Sequence, residues 1–180
     1  MQASDDAYLR LATASRTERR EVFEGGEAPE ATALTGYEYR GVNTAWIAPL
    51  LGIRKFVKAF FAAEGQAYGC NSPVEQNGLL EEWLLKPSED EPRRFGFYLL
   101  DPPGRRRHHH SLLLDYGRGG NSFFQPARLL RDYLVRVDPG SDELLLGKAY
   151  LALGPLHLPV SYFVLQRRRP LPDTPRLPGA

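Results

Sequence analysis

The stretch 144–166, LLLGKAYLALGPLHLPVSYFVLQ, is the longest apolar segment of the chain, and it runs into Arg167, Arg168 and Arg169. Its length alone permits a membrane-spanning helix, which needs about 20 apolar residues. Three features oppose one. Lys148 would lie in hydrocarbon, Gly154-Pro155 is a turn signal, and Pro159 lacks a backbone donor. The β-branched and aromatic run Val160-Ser161-Tyr162-Phe163-Val164 favours extended structure. The segment therefore reads as an antiparallel hairpin, with strands over 143–153 and 158–166.

The same grammar recurs upstream. In 34–42, Tyr37 and Tyr39 alternate with Glu38 and Arg40, with Gly36 and Gly41 as brackets. In 54–62, Phe56, Lys58 and Phe60 alternate with Lys55, Val57 and Phe61, which predicts a strand covered on both faces. Segments 66–71, 82–86, 94–100, 110–116 and 129–137 complete the set, separated by turn chemistry such as Asn77-Gly78, Lys86-Pro87-Ser88 and Asp138-Pro139-Gly140-Ser141. About nine short strands at spacings near 8–12 residues predict an all-β sandwich or barrel. Closing the sheet removes its exposed edges, so the expected fold is an antiparallel β-barrel of about eight to ten strands. Helix is expected at the N-terminus, where Ser4 precedes Asp5 and Asp6, and where Ser15 and Glu18 have capping-box spacing before Gly25-Gly26. A short helical turn is expected at 46–51. The domain plan is a helical segment over 1–30, a barrel over 31–167 and a proline-rich, disordered tail over 168–180.

Charge and cysteine content exclude several classes of function. Over 180 residues the formal net charge is +1, so no global field draws the chain to nucleic acid or to a membrane surface. Cys70 is the single cysteine, which precludes an internal disulfide and suits a cytoplasmic setting. Asp5, Asp6 and Arg10 precede any apolar run, so the start does not read as a signal peptide.

Two sets of residues are similar to a known family. Leu34-Thr35-Gly36-Tyr37-Glu38-Tyr39-Arg40-Gly41, then Leu50-Leu51-Gly52 and Lys58-Ala59-Phe60, resemble the opening of the bacterial GXWXG-type domain. Arg131-Asp132-Tyr133, Leu146-Gly147-Lys148-Ala149-Tyr150 and Tyr162-Phe163-Val164-Leu165 resemble the domain of unknown function that accompanies it. Tyr39 stands where the family shows Trp. The resemblance implies a calycin-like barrel of the lipocalin or fatty-acid-binding type, and it brings no catalytic residue with it.

A barrel of this size can hold one small ligand, and the expected activity is binding of a small apolar or amphipathic molecule in its interior. On the 144–153 strand one face carries Leu144, Leu146, Lys148, Tyr150 and Ala152, and on the neighbouring strand Tyr162 lies between Val160 and Val164. Turned inward, Lys148, Tyr150 and Tyr162 are polar groups among apolar walls, which is how ligand sites are built. A buried lysine needs a partner, for which Asp115 and Asp132 are placed. The opposite orientation, Lys148 outward, stays open. The full expected lining adds Tyr39, Asn43, Lys58 and Phe60 from the first two strands, with Asn71 and Phe97 from the next two. An alternative function uses the same groups as a barrel-type cyclase or isomerase, with Lys148 as base or Schiff-base nucleophile, Tyr150 or Tyr162 as donor to an oxyanion and Asp115 as proton acceptor. A structural or homodimerising module is a third option.

No cofactor is expected. The tract Arg105-Arg106-Arg107-His108-His109-His110 could grip an anion through its arginines. On a strand, His108 and His110 would point the same way and could bind zinc or copper, given a third ligand from His157 or Asp115. No nucleophile elbow, phosphate loop or HExxH motif is present.

Overall fold

The 144–166 hairpin forms, and it is longer than its sequence suggested. In the computed structural model, which describes residues 2–45, 53–102 and 108–179, β7 (Leu144–Leu153) pairs with β8 (Leu156–Pro170) along its whole length. Only Gly154 and Pro155 are left for the turn, and Gly154 takes a φ of 61° that favours glycine there. The other strands are β1 (Tyr37–Asn43), β2 (Lys55–Ala63), β3 (Gln66–Pro73), β4 (Phe95–Asp101), β5 (Leu112–Asp115) and β6 (Leu130–Arg136). Each pairs antiparallel with the next, and β8 returns to β1, giving a closed eight-stranded barrel in simple up-and-down order.

Three helices precede the barrel: α1 (Gln2–Thr13), α2 (Arg16–Gly25) and the single turn α3 (Ala31–Leu34). The capping box at α2 is complete: the Ser15 hydroxyl accepts from the Glu18 amide at 3.2 Å, and the Glu18 carboxylate accepts from the Ser15 amide at 2.7 Å. Apolar groups on both sides of the strands divide the core into inner and outer parts. Inside lie Tyr39, Phe60, Tyr98, Leu114, Leu134, Leu145 and Phe163. Outside, Tyr8 and Leu11 of α1, Phe23 of α2, and Trp83 and Leu85 of the β3–β4 connection cover Val57, Tyr133, Leu146 and Val164. A second outer patch, around Phe61, Tyr68 and Phe97, is covered by Leu171 and Leu177.

Several expectations are corrected here. Residues 82–86 form no barrel strand. They join the sheet only by the isolated bridge Val74↔Leu85 and otherwise lie over its outer face as a lid, with Trp83 Nε1 donating to the Gly41 carbonyl at 3.3 Å. The strand expected at 110–116 is confined to Leu112–Asp115, since residues 108–110 are a turn in which Ser111 returns to the His108 carbonyl. The barrel does not end at 167. Arg168 and Arg169 are within β8 and bind Glu38 of β1 at 2.9 Å each, and the chain beyond packs through Leu171 and Leu177 rather than being free of the fold. The short helix expected at 46–51 and the Arg105–Arg107 run lie outside the described residues.

Glycines let the interior close. Gly41, Gly69 and Gly147 point inward, and a ring lies flat over each: Phe56, Tyr98 and Phe163 respectively. A Cβ on Gly147 would sit 2.0 Å from the Phe163 ring, a distance no real contact shows. Gly147→Ala is therefore expected to displace that ring and cost about 1–3 kcal/mol, measured as a lower midpoint in chemical denaturation.

Candidate functional site

β2, β3 and β6 each put one polar side chain among the inward apolar ones, and these converge. Lys58 and Asn71 are register partners on β2 and β3, while Asp132 faces them from β6. Tyr116, which follows β5, completes the group. The Lys58 ammonium donates to Asn71 Oδ1 at 2.9 Å, to the Tyr116 hydroxyl at 2.7 Å and to Asp132 Oδ2 at 3.4 Å. The Tyr116 hydroxyl donates to the same Asp132 oxygen at 3.0 Å. The Asn71 amide holds the Gly96 carbonyl at 3.0 Å, which fixes which end of that side chain faces the lysine. The Lys58 charge also lies 4.7 Å from the centre of the Tyr98 ring and 5.1 Å from that of Phe163, within cation–π range.

All four groups are buried, and burial shifts the proton affinities of Lys58, Tyr116 and Asp132. Desolvation lowers the Lys58 pKa, an effect that Asp132 opposes. Desolvation raises that of Asp132 against the pull of Lys58. Burial also raises Tyr98 and Tyr116 well above the ordinary phenol value, with the Asp132 charge adding to the effect on Tyr116. Among the described residues, four buried side-chain atoms have no hydrogen-bond partner: the Tyr98 hydroxyl and Asp132 Oδ1 in the interior, and the Tyr8 hydroxyl and Arg19 Nε in the outer layer. An amine biased toward its free base, a phenol bridging it to a carboxyl group and an unpaired carboxylate oxygen can bind a polar head group or shuttle a proton.

Of the expected lining, Tyr39, Lys58, Phe60 and Asn71 do face inward, and Asn43 sits on the same face at the end of β1. Tyr39 lies away from the charged cluster, its hydroxyl donating to the Asp142 carbonyl at 2.9 Å and accepting from Arg167 at 3.2 Å. The Asn43 side-chain oxygen Oδ1 accepts from the Ala45 amide at 3.0 Å.

The other expected site residues face outward. Lys148 lies 3.7 Å from Glu24 of α2 and packs over Phe23, while Tyr150 and Tyr162 belong to the outer core beneath the helices. The inward positions of β7 are Leu145, Gly147 and Ala149, because the barrel wall leaves only small space there beside the Phe163 ring. Asp115 is also outward; it accepts from the Gly117 amide at 2.9 Å to cap the turn Tyr116–Arg118 and pairs with Arg131 at 3.1 Å. Phe97 packs outside against Phe61, because a register shift in the β3–β4 pairing, with Gly96 at a φ of 55°, puts Tyr98 inside instead. The catalytic set Lys148, Asp115, Tyr150 and Tyr162 is thus not assembled in the lumen.

Tyr98 and Tyr116 were not expected from the sequence. The signal that could have found this site is the Lys58–Asn71 pairing, which puts two polar groups side by side on one face of an otherwise apolar pair of strands. Cys70 is buried in the outer core, and burial pushes its thiol up to about 12, which disfavours the reactive thiolate. Outside the barrel, His108 and His110 approach each other and Glu24; His157 is instead a strand residue paired with Ala152.

No family model, curated protein or solved structure matches this chain.

The raised Asp132 pKa makes a signed prediction. Between the ordinary aspartate value and the raised one, the folded chain holds the proton that the unfolded chain has released. Stability contributed at this site therefore falls as pH rises above the ordinary aspartate value of about 4 and through the raised one. Unfolding free energies of wild type and Asp132→Asn, measured across that range, should converge at the acid end and separate above it, with wild type losing ground.

Proposed function

We propose that the barrel interior binds one small amphipathic molecule, with its polar end on Lys58, Asn71, Tyr116 and Asp132 and its apolar body against Phe56 and Phe163. The observation that carries this reading is the pair of unpartnered atoms, Tyr98 Oη and Asp132 Oδ1, in the same inward cluster. Each unsatisfied buried group costs about 1–3 kcal/mol, so a partner that satisfies both is favoured. An ionised carboxylate only accepts, whereas a phenol can do both, so the complementary head group is a hydroxyl, an amide or an un-ionised acid. Phe56 is half-buried and lies over Gly41 beside the Lys58 end of the cluster, a position from which its ring can yield to a ligand. The resemblance to the GXWXG-type domain supports the same lipocalin-like reading. The lone buried cysteine favours a cytoplasmic setting, and the balanced charge disfavours a nucleic-acid partner. Among the described residues no helix is long and apolar enough to cross a membrane.

A second reading, a barrel-type isomerase or cyclase, rests on a different observation: the buried Lys58 amine shares Tyr116 and Asp132 as direct partners. Burial favours the free amine, and Tyr116 can pass a proton between it and the carboxylate.

The test is mass spectrometry of the freshly purified chain, native against denatured. A stoichiometric small molecule, released on denaturation and absent from a Lys58→Met/Asp132→Leu variant, is the expected result. Retention of the same molecule by that variant would place its site elsewhere. A chain that is empty and binds no member of an amphipathic ligand panel, with wild type and variant alike, would overturn binding in the interior. Turnover abolished in Lys58→Arg with binding intact would select the enzymatic reading.

A further inference from the structure

We propose that Glu24, His108 and His110 form a zinc site on the outer face of the barrel, independent of the interior cluster. One donor atom from each of the three lies within 4.8 Å of the others. Tetrahedral zinc, with bonds of about 2.0–2.2 Å, holds its donors roughly 3.3–3.5 Å apart, so the set closes with a short inward movement. Glu24 can supply that movement, because its side chain is exposed. Two imidazoles and a carboxylate are a donor set that zinc favours, with a fourth position left to water.

Two further observations point to a cation here. The first is the way the imidazoles are held. His110 Nε2 lies 3.1 Å from the Phe23 carbonyl, which only accepts, so that nitrogen carries the proton and Nδ1 presents a lone pair. His108 Nε2 is held at 2.9 Å by the Tyr150 hydroxyl. One ring nitrogen held by a carbonyl or hydroxyl is the usual support of a metal-binding histidine. The second is charge. Glu24 stands at the C-terminal end of α2, the negative end of the helix dipole, and the last turn of that helix carries no basic residue. Lys148 meets this charge only loosely, at 3.7 Å. A divalent ion would answer both the carboxylate and the dipole, and would tie α2 to the turn that leads into β5.

The test uses the full chain without an affinity tag, stripped with a chelator and titrated with zinc while bound metal and the thermal midpoint are both measured. Binding is expected to saturate at one zinc per chain and to raise the midpoint. Glu24→Gln, which leaves an exposed side chain of the same shape, should weaken binding by about tenfold or more and remove the rise. Lys148→Met, which removes a competing positive charge, should tighten it. Failure to retain zinc would overturn the proposal. So would a Glu24→Gln titration that superimposes on wild type, since the histidine tract would then be binding metal without the assembled site.

Discussion

Closure of the sheet by β8 against β1 is the constraint on which everything else depends. Without that seam the barrel would be an open sheet with two bare edges, and Lys58 and Asp132, on β2 and β6, would not meet across an enclosed interior. The seam is built from side chains as well as backbone. Gln166 accepts from Arg40 at 2.8 Å, and Glu38, wholly buried, receives Arg168 and Arg169 from β8 and Arg94 from the chain before β4. A carboxylate without water is tolerated only when its lone pairs are filled, and three guanidinium groups fill them. The arginine run that ends the longest apolar stretch is thus the clasp of the barrel.

The interior shows the opposite electrostatic economy. There one lysine and one carboxylate face each other at 3.4 Å with a phenol bonded to both, and burial draws each charge toward its neutral form. Such a pair adds little to stability compared with apolar packing, and leaving two neighbouring polar atoms unpartnered makes it costlier still. A chain that needed only a filled barrel would do better with Leu or Phe at these positions. That cost is the physical reason to read the cluster as a site. In the outer layer Lys55, also buried, is held by the carbonyls of Gly78, Glu81 and Glu82 at 3.0–3.1 Å and by the Trp83 ring at 3.8 Å, so its own charge is satisfied and it organises the lid.

Much of the fold was legible because alternation and turn chemistry are local. The strands at Tyr37–Asn43, Lys55–Ala63, Gln66–Pro73, Phe95–Asp101, Leu130–Arg136 and the 144–170 hairpin all stand close to where period-two patterning and Gly, Pro and Asn signals put them. Segment 82–86 misled because Trp83 and Leu85 alternate as in a strand, although what they bury is the outer surface of one. The candidate site was half legible: Lys58 and Asn71 were expected, whereas Lys148, Asp115, Tyr150, Tyr162 and Phe97 were assigned to the wrong face. When both faces of a strand are apolar, periodicity shows that two faces exist and not which of them is inner. One residue of register shift, as between β3 and β4, exchanges the faces altogether.

By itself the sequence determined that this chain makes antiparallel strands, carries a helix capped by Ser15 and Glu18 and has one cysteine with no disulfide partner, because each of these depends on neighbours along the chain or on composition. Only the tertiary structure decided that α1, α2 and the 74–85 lid coat the barrel, which turns Lys148 outward to Glu24 and leaves the lumen to Lys58, Asn71, Tyr116 and Asp132. Inside and outside are properties of the closed sheet and of what packs against it. The physical choice between them was made by volume: the inner wall at β7 has room for Gly147 and Ala149 beside the Phe163 ring, and the larger Lys148 and Tyr150 go where the helices can cover them.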